Sequence, residues 1–210
     1  VKEPLTLAFP KGRLAAPLSR LLSRPPLEIG EFTGRGLVRD FPERGLRFLL
    51  LKDFDVPTYV QRGAAEIGVA GSDVLAEKEC DLPRPLSLPF GRCRFSLLAP
   101  AASRDPFPEG RAARVATKYV RLTRDYFDQK GMAVDLVPLA GSVEIAPRML
   151  LADLVADLVD TGETMRANGL TEVEKIRDVS PHVIVSRAAL ARRRQDVFAF
   201  LETLEGMLKT

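Results

Sequence analysis

Between positions 150 and 164 the chain reads Leu-Leu-Ala-Asp-Leu-Val-Ala-Asp-Leu-Val-Asp-Thr-Gly-Glu-Thr, an apolar-rich run that passes directly into a polar turn centred on glycine. Leu154, Val155, Leu158 and Val159 surround Asp157, which predicts a buried strand, a turn at Asp160 and a short helix from about Glu163 to Asn168. Such a junction suits an anion. Gly162 lets the backbone come close to a ligand, the N–H groups of Thr161 to Thr164 have no intrahelical partner, and both threonines add hydroxyls. Asp153, Asp157, Asp160 and Glu163 bring negative charge that bare phosphate does not want, but carboxylates there can accept hydrogen bonds from sugar hydroxyls. A phosphorylated ribose satisfies both needs. The segment lacks the lysine and the spacing of a Walker loop. Its plainer reading is an ordinary strand-to-helix turn capped by Thr161, with solvated aspartates.

The rest of the chain repeats this punctuation. Leu5 to Phe9 predicts an opening strand, then Pro10-Lys11-Gly12-Arg13 and an amphipathic helix through Leu14, Leu18, Leu21 and Leu22. Thr33-Gly-Arg-Gly36 is a second basic glycine turn. Leu46 to Leu51 and Ala65 to Ala70 predict buried strands; the first leads through Lys52 to a helix over Thr58 to Gly63 entered at Pro57, the second to a helix opened by Gly71-Ser72-Asp73. Residues 80 to 93, with Pro83, Pro85, Pro89 and Gly91, form a hinge or crossover. A new series follows: strands at Phe95 to Ala99, Ala113 to Thr117 and Val134 to Val137, and helices near Arg121 to Lys130 and Val143 to Leu150. Val173 to Arg177 and His182 to Ser186 predict two more strands, and Arg187 to Leu208 a single long helix packing back on the first lobe. Strand, loop and helix in alternation mean an α/β protein, whose ligands collect at the carboxyl ends of the strands. Lys11, Arg13, Lys118 and Glu144 all fall at such ends.

Composition limits the alternatives. With 210 residues and 46% hydrophobic content, a core of useful size can form as one bilobed unit or two small lobes. The net charge of +3 is scattered, with Arg192-Arg-Arg194 the densest cluster, which favours anionic small molecules over nucleic acid. Cys80 and Cys93 have no Cys-x-x-Cys spacing and the single His182 lies on an apolar run, so a zinc site lacks ligands. No apolar run approaches the ~20 residues of a membrane span and no secretory leader is visible, so the expectation is a cytoplasmic protein with reduced thiols.

Several ordered motifs carry a family resemblance: Leu5-Thr-Leu-Ala-Phe-Pro-Lys-Gly-Arg-Leu14, Asp55-Val-Pro-Thr-Tyr-Val60, Gly68-Val-Ala-Gly-Ser-Asp-Val-Leu75, Arg114-Val-Ala-Thr-Lys-Tyr119, Gly141-Ser-Val-Glu144 and Asp157-Leu-Val-Asp-Thr-Gly-Glu-Thr164. Over nearly its whole length the chain resembles the ATP phosphoribosyltransferase family, in its short form. The resemblance implies a fold like the type II periplasmic binding proteins, two-lobed with a ligand cleft between the lobes. Lobe one is expected from 1 to 91 plus 178 to 210, on the ATP side, and lobe two from 92 to 177, on the phosphoribosyl pyrophosphate side. It implies transfer of the phosphoribosyl group to N1 of ATP with loss of pyrophosphate, the first step of histidine biosynthesis. By motif, Asp157, Asp160, Thr161, Gly162, Glu163 and Thr164 would hold the ribose phosphate. Lys11, Lys118 and Glu144 would border the pyrophosphate and the reacting ribose, with Lys11, Glu144 and Asp157 the catalytic candidates. Arg13, Arg35 and Asp73 would contact ATP.

The resemblance further implies Mg2+ entering on the pyrophosphate, with no direct protein ligand, a homodimer of this chain, and a histidyl-tRNA-synthetase-like regulatory subunit in a hetero-octamer. Because the sequence stops after the last helix, a histidine-binding domain of its own is not expected. Three positions depart from the family pattern: Asp160 where glutamate is usual, Ala140 where asparagine often stands, and Lys52 where arginine is usual and a bidentate contact is therefore lost. The rival reading is a solute-binding domain of the same architecture that closes on a ligand without turnover.

Overall fold

A computed structural model describes residues 3–30, 36–103 and 106–209. The chain divides into two compact units, Val1–Gly91 with Ser180–Thr210, and Arg92–Val179. Among the described residues, no helix is long and apolar enough to cross a membrane.

The first unit opens with β1 (Leu5–Pro10), α1 (Ala15–Leu22), β2 (Val38–Phe41), β3 (Leu46–Leu51), α2 (Val56–Gln61), β4 (Ile67–Gly71), α3 (Ser72–Glu77) and β5 (Leu86–Ser87). The second unit contributes β6 (Cys93–Pro100), β7 (Ala113–Thr117), α4 (Val120–Gln129), β8 (Val134–Pro138), β9 (Leu154–Val159), α5 (Glu163–Ala167) and β10 (Leu170–Val179). The chain then returns to the first unit as β11 (Pro181–Val185), α6 (Arg187–Arg192) and α7 (Arg194–Lys209).

In the first unit the described strands run in the order β2-β3-β1-β4-β11-β5, with β1 parallel to both β3 and β4 and β11 antiparallel to β4. The central strands are buried on both faces, as parallel strands must be. Leu5, Leu7 and Phe9 of β1, Ile67 and Val69 of β4, and Val183 and Val185 of β11 join α1 and α7 in one core. Ala8, Ala70 and Ile184, one residue out of phase, face Val56, Val60 and Leu75 of α2 and α3 in another. Each fully buried aliphatic side chain contributes about 2 kcal/mol, so a one-residue slip would exchange two complete cores.

The second unit's described sheet runs β10-β6-β9-β7-β8, with β9, β7 and β8 mutually parallel and β6 antiparallel to β9 and β10. One face carries Leu98, Ala116, Val155 and Val159 against Val143, Ala146 and Ala152 of the segment before β9. On β7 and α4, Thr117 accepts the Tyr119 amide at 2.9 Å and lies beside the Thr123 hydroxyl at 3.2 Å.

Several elements differ from expectation, and β10 is longer at both ends than the Val173 to Arg177 strand read from the sequence. The segment Val143 to Leu150 is not a helix: a single 3-10 turn at Val143–Ile145 follows Ser142 in the left-handed region (φ 51°), and Pro147, which has no N–H to donate, stops its propagation. The terminal helix is two helices, broken at Arg193 (φ −132°). The Arg193 guanidinium is drawn to the carbonyls of Glu3 and Pro4 and to Glu66 and Asp196. Finally, β2 and the two-residue β5 were not expected: β2 places Arg39 and Asp40 between its two apolar residues on an edge paired only with β3, and β5 lies within the stretch read as a hinge or crossover.

Candidate active site

Parallel pairing decides which loops meet. In the second unit β7 and β8 end together, Thr117 in register with Pro138, and the parallel β9, level with Thr117 at Ala156, runs on in the same direction to Val159. The segments leaving those ends carry the 160–164 turn, Lys118, and Gly141 to Glu144, and Asp157 lies on β9 itself, one residue past the level of Thr117. In the first unit β3, β1 and β4 do the same for Lys52, Lys11 to Arg13, and Asp73, and the Lys11 amide donates to the Leu51 carbonyl at 2.7 Å.

The 160–164 turn is built on Gly162, whose φ of 78° lies in the left-handed region where a side chain costs roughly 1–2 kcal/mol. A Cβ there would also stand 2.8 Å from Nη1 of Arg166 and 3.5 Å from Cε of Met165. Arg166 folds back from α5, donating to the Thr161 carbonyl at 3.1 Å. Asp160, Thr161, Glu163 and Thr164 are exposed, and Asp157 is half-buried on the strand. The turn thus presents hydroxyls and carboxylates to solvent with a guanidinium at its back. Arg166 was missed by sequence reasoning, which weighed only the residues inside the motif; its spacing of four from Gly162 on a predicted helix was the available signal.

Asp153 does not belong to this group. It sits at the other end of β9, where Arg111 (2.7 and 2.9 Å) and Arg114 (2.9 Å) grip both carboxylate oxygens and the Arg114 amide donates at 2.8 Å. The hydrogen bonds from Arg111, joined by those from Arg114, outweigh partial burial and hold its carboxyl well below the usual range. Thr117 is likewise spent on structure. Its buried hydroxyl donates to the Ala156 carbonyl at 2.8 Å and accepts the Tyr119 amide just before α4.

In the first unit Lys11 is exposed after β1, and exposed Arg13 donates to the Gly91 carbonyl. Asp73 is 2% exposed. Its carboxylate folds back over Gly71, where a Cβ would come within 2.0 Å of Oδ1, so that position has room for hydrogen alone. Arg35 lies outside the described residues. Glu144 stands half-buried on the 3-10 turn and Lys118 half-buried after β7.

His182 is half-buried on β11 with Nε2 3.1 Å from the Ser180 hydroxyl, and burial pushes its pKa down. A cavity of about 600 Å³ opens elsewhere in the first unit, around Leu5, Leu27, Leu46 and Phe200 at the amino ends of β1 and β3. Its arginines, Arg44 and Arg193, are already bonded to carbonyls and carboxylates of the same unit. It is separate from the strand ends that carry the motifs.

The family model described as ATP phosphoribosyltransferase matches residues 52–206. A protein named ATP phosphoribosyltransferase from Anaeromyxobacter sp. (strain K) is 44% identical over 208 residues, covering 97% of this chain and 93% of that protein. Another of the same name from Thermococcus gammatolerans is 40% identical over 205 residues, covering 98% of each. Among solved structures, the ATP phosphoribosyl transferase (HisG:HisZ) complex from Thermotoga maritima superposes with a TM-score of 0.84 at 35% identity, over 98% of each chain. The periplasmic aliphatic sulphonate binding protein SsuA from Escherichia coli gives 0.61 at 13% identity over 99% of this chain and 69% of that one, a likeness of fold alone.

Proposed function

The chain belongs to the ATP phosphoribosyltransferase family, pentosyltransferases that perform the first step of histidine biosynthesis, and from that premise we propose how its residues divide the work. The 160–164 turn receives the 5-phosphate of phosphoribosyl pyrophosphate, with Asp157 and Asp160 accepting from the ribose hydroxyls. Lys118 and Glu144 border the reacting carbon and the pyrophosphate, joined by Lys11. Arg13, Arg35 and Asp73 of the first unit serve ATP.

One observation carries this reading: the loops after β9, β7 and β8 leave one edge of one sheet, and each brings a different part of the required chemistry. Adenine N1 already has a free lone pair, so forming the N1–C1 bond needs no general base. The C1–O bond to pyrophosphate breaks with its electron pair leaving on the pyrophosphate. Catalysis is then positioning and charge stabilisation. Positive charge growing on the ribose ring is met by Asp157 and Glu144; negative charge on the leaving group is met by Lys11 and Lys118.

Members of the family generally use a metal ion, and we take it to be Mg2+ carried on the pyrophosphate. Among the described residues no group of three His, Cys, Asp or Glu is placed to hold a metal, and the ion is taken to ride on the substrate phosphates with no direct protein ligand. Bound there, it would neutralise the departing pyrophosphate. A HisZ-type regulatory subunit, a homodimer of this chain, assembly into a hetero-octamer and a cytoplasmic location complete the proposal, the first supported by the Thermotoga maritima complex.

Incubation with ATP, phosphoribosyl pyrophosphate and Mg2+, with and without the regulatory subunit, tests it. Phosphoribosyl-ATP is expected only when both substrates are present. Binding of phosphoribosyl pyrophosphate without any product, even in the complex, would favour the solute-binding reading.

A further inference from the structure

The most fully engaged arginine near the 160–164 turn lies outside every motif so far assigned a role. Arg94 is on β6, beside β9. Its Nε donates to Glu172 at 2.8 and 3.0 Å and its Nη2 at 2.7 Å, a bidentate pair with an acid from β10. Ser96, fully buried two residues along β6, donates to the same Glu172 carboxylate at 2.7 Å. The remaining arm, Nη1, donates to the Asp160 carbonyl at 3.3 Å. Three strands are therefore tied through one guanidinium to the residue that starts the turn.

Register gives this array its meaning. Arg94 is opposite Val159 and Ser96 opposite Asp157 across the β6–β9 pair, and directly opposed residues share a face of the sheet. The array thus occupies the face that bears Asp157. Glu172, whose carboxyl Arg94 first and Ser96 second hold below its ordinary range against the opposing effect of burial, would without Arg94 place an uncompensated negative charge on that face. Both side chains of the pair are only 24 to 33% exposed, so water screens them incompletely.

We propose that Arg94, oriented by Glu172 and Ser96, is a positioning residue for phosphoribosyl pyrophosphate: it fixes the Asp160 carbonyl, and with it the exit of the chain from β9 into the turn. It touches no substrate itself. The inference rests on the 160–164 turn being the phosphoribosyl site. Arginine is needed because one planar group must hold a carboxylate with two arms and a carbonyl with a third; lysine has a single ammonium and no such fork.

The test measures kcat and both KM values in the assembled complex for Arg94→Met, Arg94→Lys, Glu172→Gln and Gly162→Val. Arg94→Met is expected to raise KM for phosphoribosyl pyrophosphate about tenfold, the scale of one hydrogen bond involving a charged group, with KM for ATP unchanged. Arg94→Lys is expected to recover thermal stability but not that KM, and Glu172→Gln to raise the same KM by less. Equal collapse of kcat and both KM values in the Arg94 variants would mean a merely structural ion pair and overturn the proposal, as would full rescue by lysine. A wild-type KM in Arg94→Met, with binding lost in Gly162→Val, overturns the role of Arg94 alone. Unchanged binding in both overturns the cradle beneath it.

Discussion

The two ends of β9 use the same residue types to opposite purposes. At its start, Asp153 is gripped by Arg111 and Arg114 through side chain against side chain, and its carboxylate is fully occupied. At its end, Arg94 holds the Glu172 carboxylate of β10 with two arms and the Asp160 carbonyl with a third, Arg166 bonds the Thr161 carbonyl, and the side chains of 160, 161, 163 and 164 stand exposed. At the start the arginines consume the acid that the strand's own segment supplies; at the end they take a neighbouring strand's acid and the turn's carbonyls, which stiffens the turn and leaves its own acids exposed. Only the second arrangement suits a ligand.

The harshest way to break this contrast is Gly162→Val. It combines left-handed strain with a side chain aimed at the Arg166 guanidinium, and a branched residue tolerates that backbone worst. Affinity for phosphoribosyl pyrophosphate, read by calorimetry, is expected to fall by about 100-fold, the sum of strain and lost contacts, with the circular dichroism spectrum retained. Unchanged affinity would remove the turn from the site.

A milder pair of changes sharpens it. Asp157→Asn and Asp160→Asn are expected to lower kcat by about tenfold, the scale of one charge-assisted interaction, with little change in melting temperature. Asp153→Asn should do the reverse, costing about 2 kcal/mol of stability and leaving turnover as it was. Chemical denaturation and steady-state kinetics on the three variants separate the two classes.

How far the sequence carried this can be seen on the same strand. The strand at 154–159 and its turn were legible because four apolar residues run into Asp-Thr-Gly-Glu-Thr, and β7 began and ended at its expected residues for the same reason. The difference between Asp153 and Asp160 was not legible. Arg111 comes from a proline-rich loop 42 residues away and Arg94 from a strand 66 residues away, and only the sheet's register joins them. The segment 143–150 misled for a local reason: its apolar spacing fits a helix, but Pro147 and the left-handed Ser142 forbid one. Arg193 likewise broke the last helix through contacts to the start of the chain, some 190 residues distant.

The smallest effect expected is in the pH dependence of stability. The hydrogen bonds from Arg111 and Arg114 hold the folded-state pKa of Asp153 below the ordinary carboxylate value of 3.8. A depressed carboxylate contributes its full stability above the unfolded value and loses it as pH falls through the folded one. The gap between wild type and Asp153→Asn should therefore be constant from neutrality to about pH 5 and narrow only below about pH 4, as urea titrations at each pH would show. A gap that closes near pH 6 would mean that the clamp is not what stabilises this end.

The central claim, that the far end of β9 receives the phosphoribosyl group while the near end only holds the strand in place, is tested most directly by amide hydrogen exchange with and without saturating phosphoribosyl pyrophosphate. Peptides spanning 157–166 are expected to slow on binding while those spanning 148–154 exchange as before. Protection at 148–154, with 157–166 unchanged, would contradict the account.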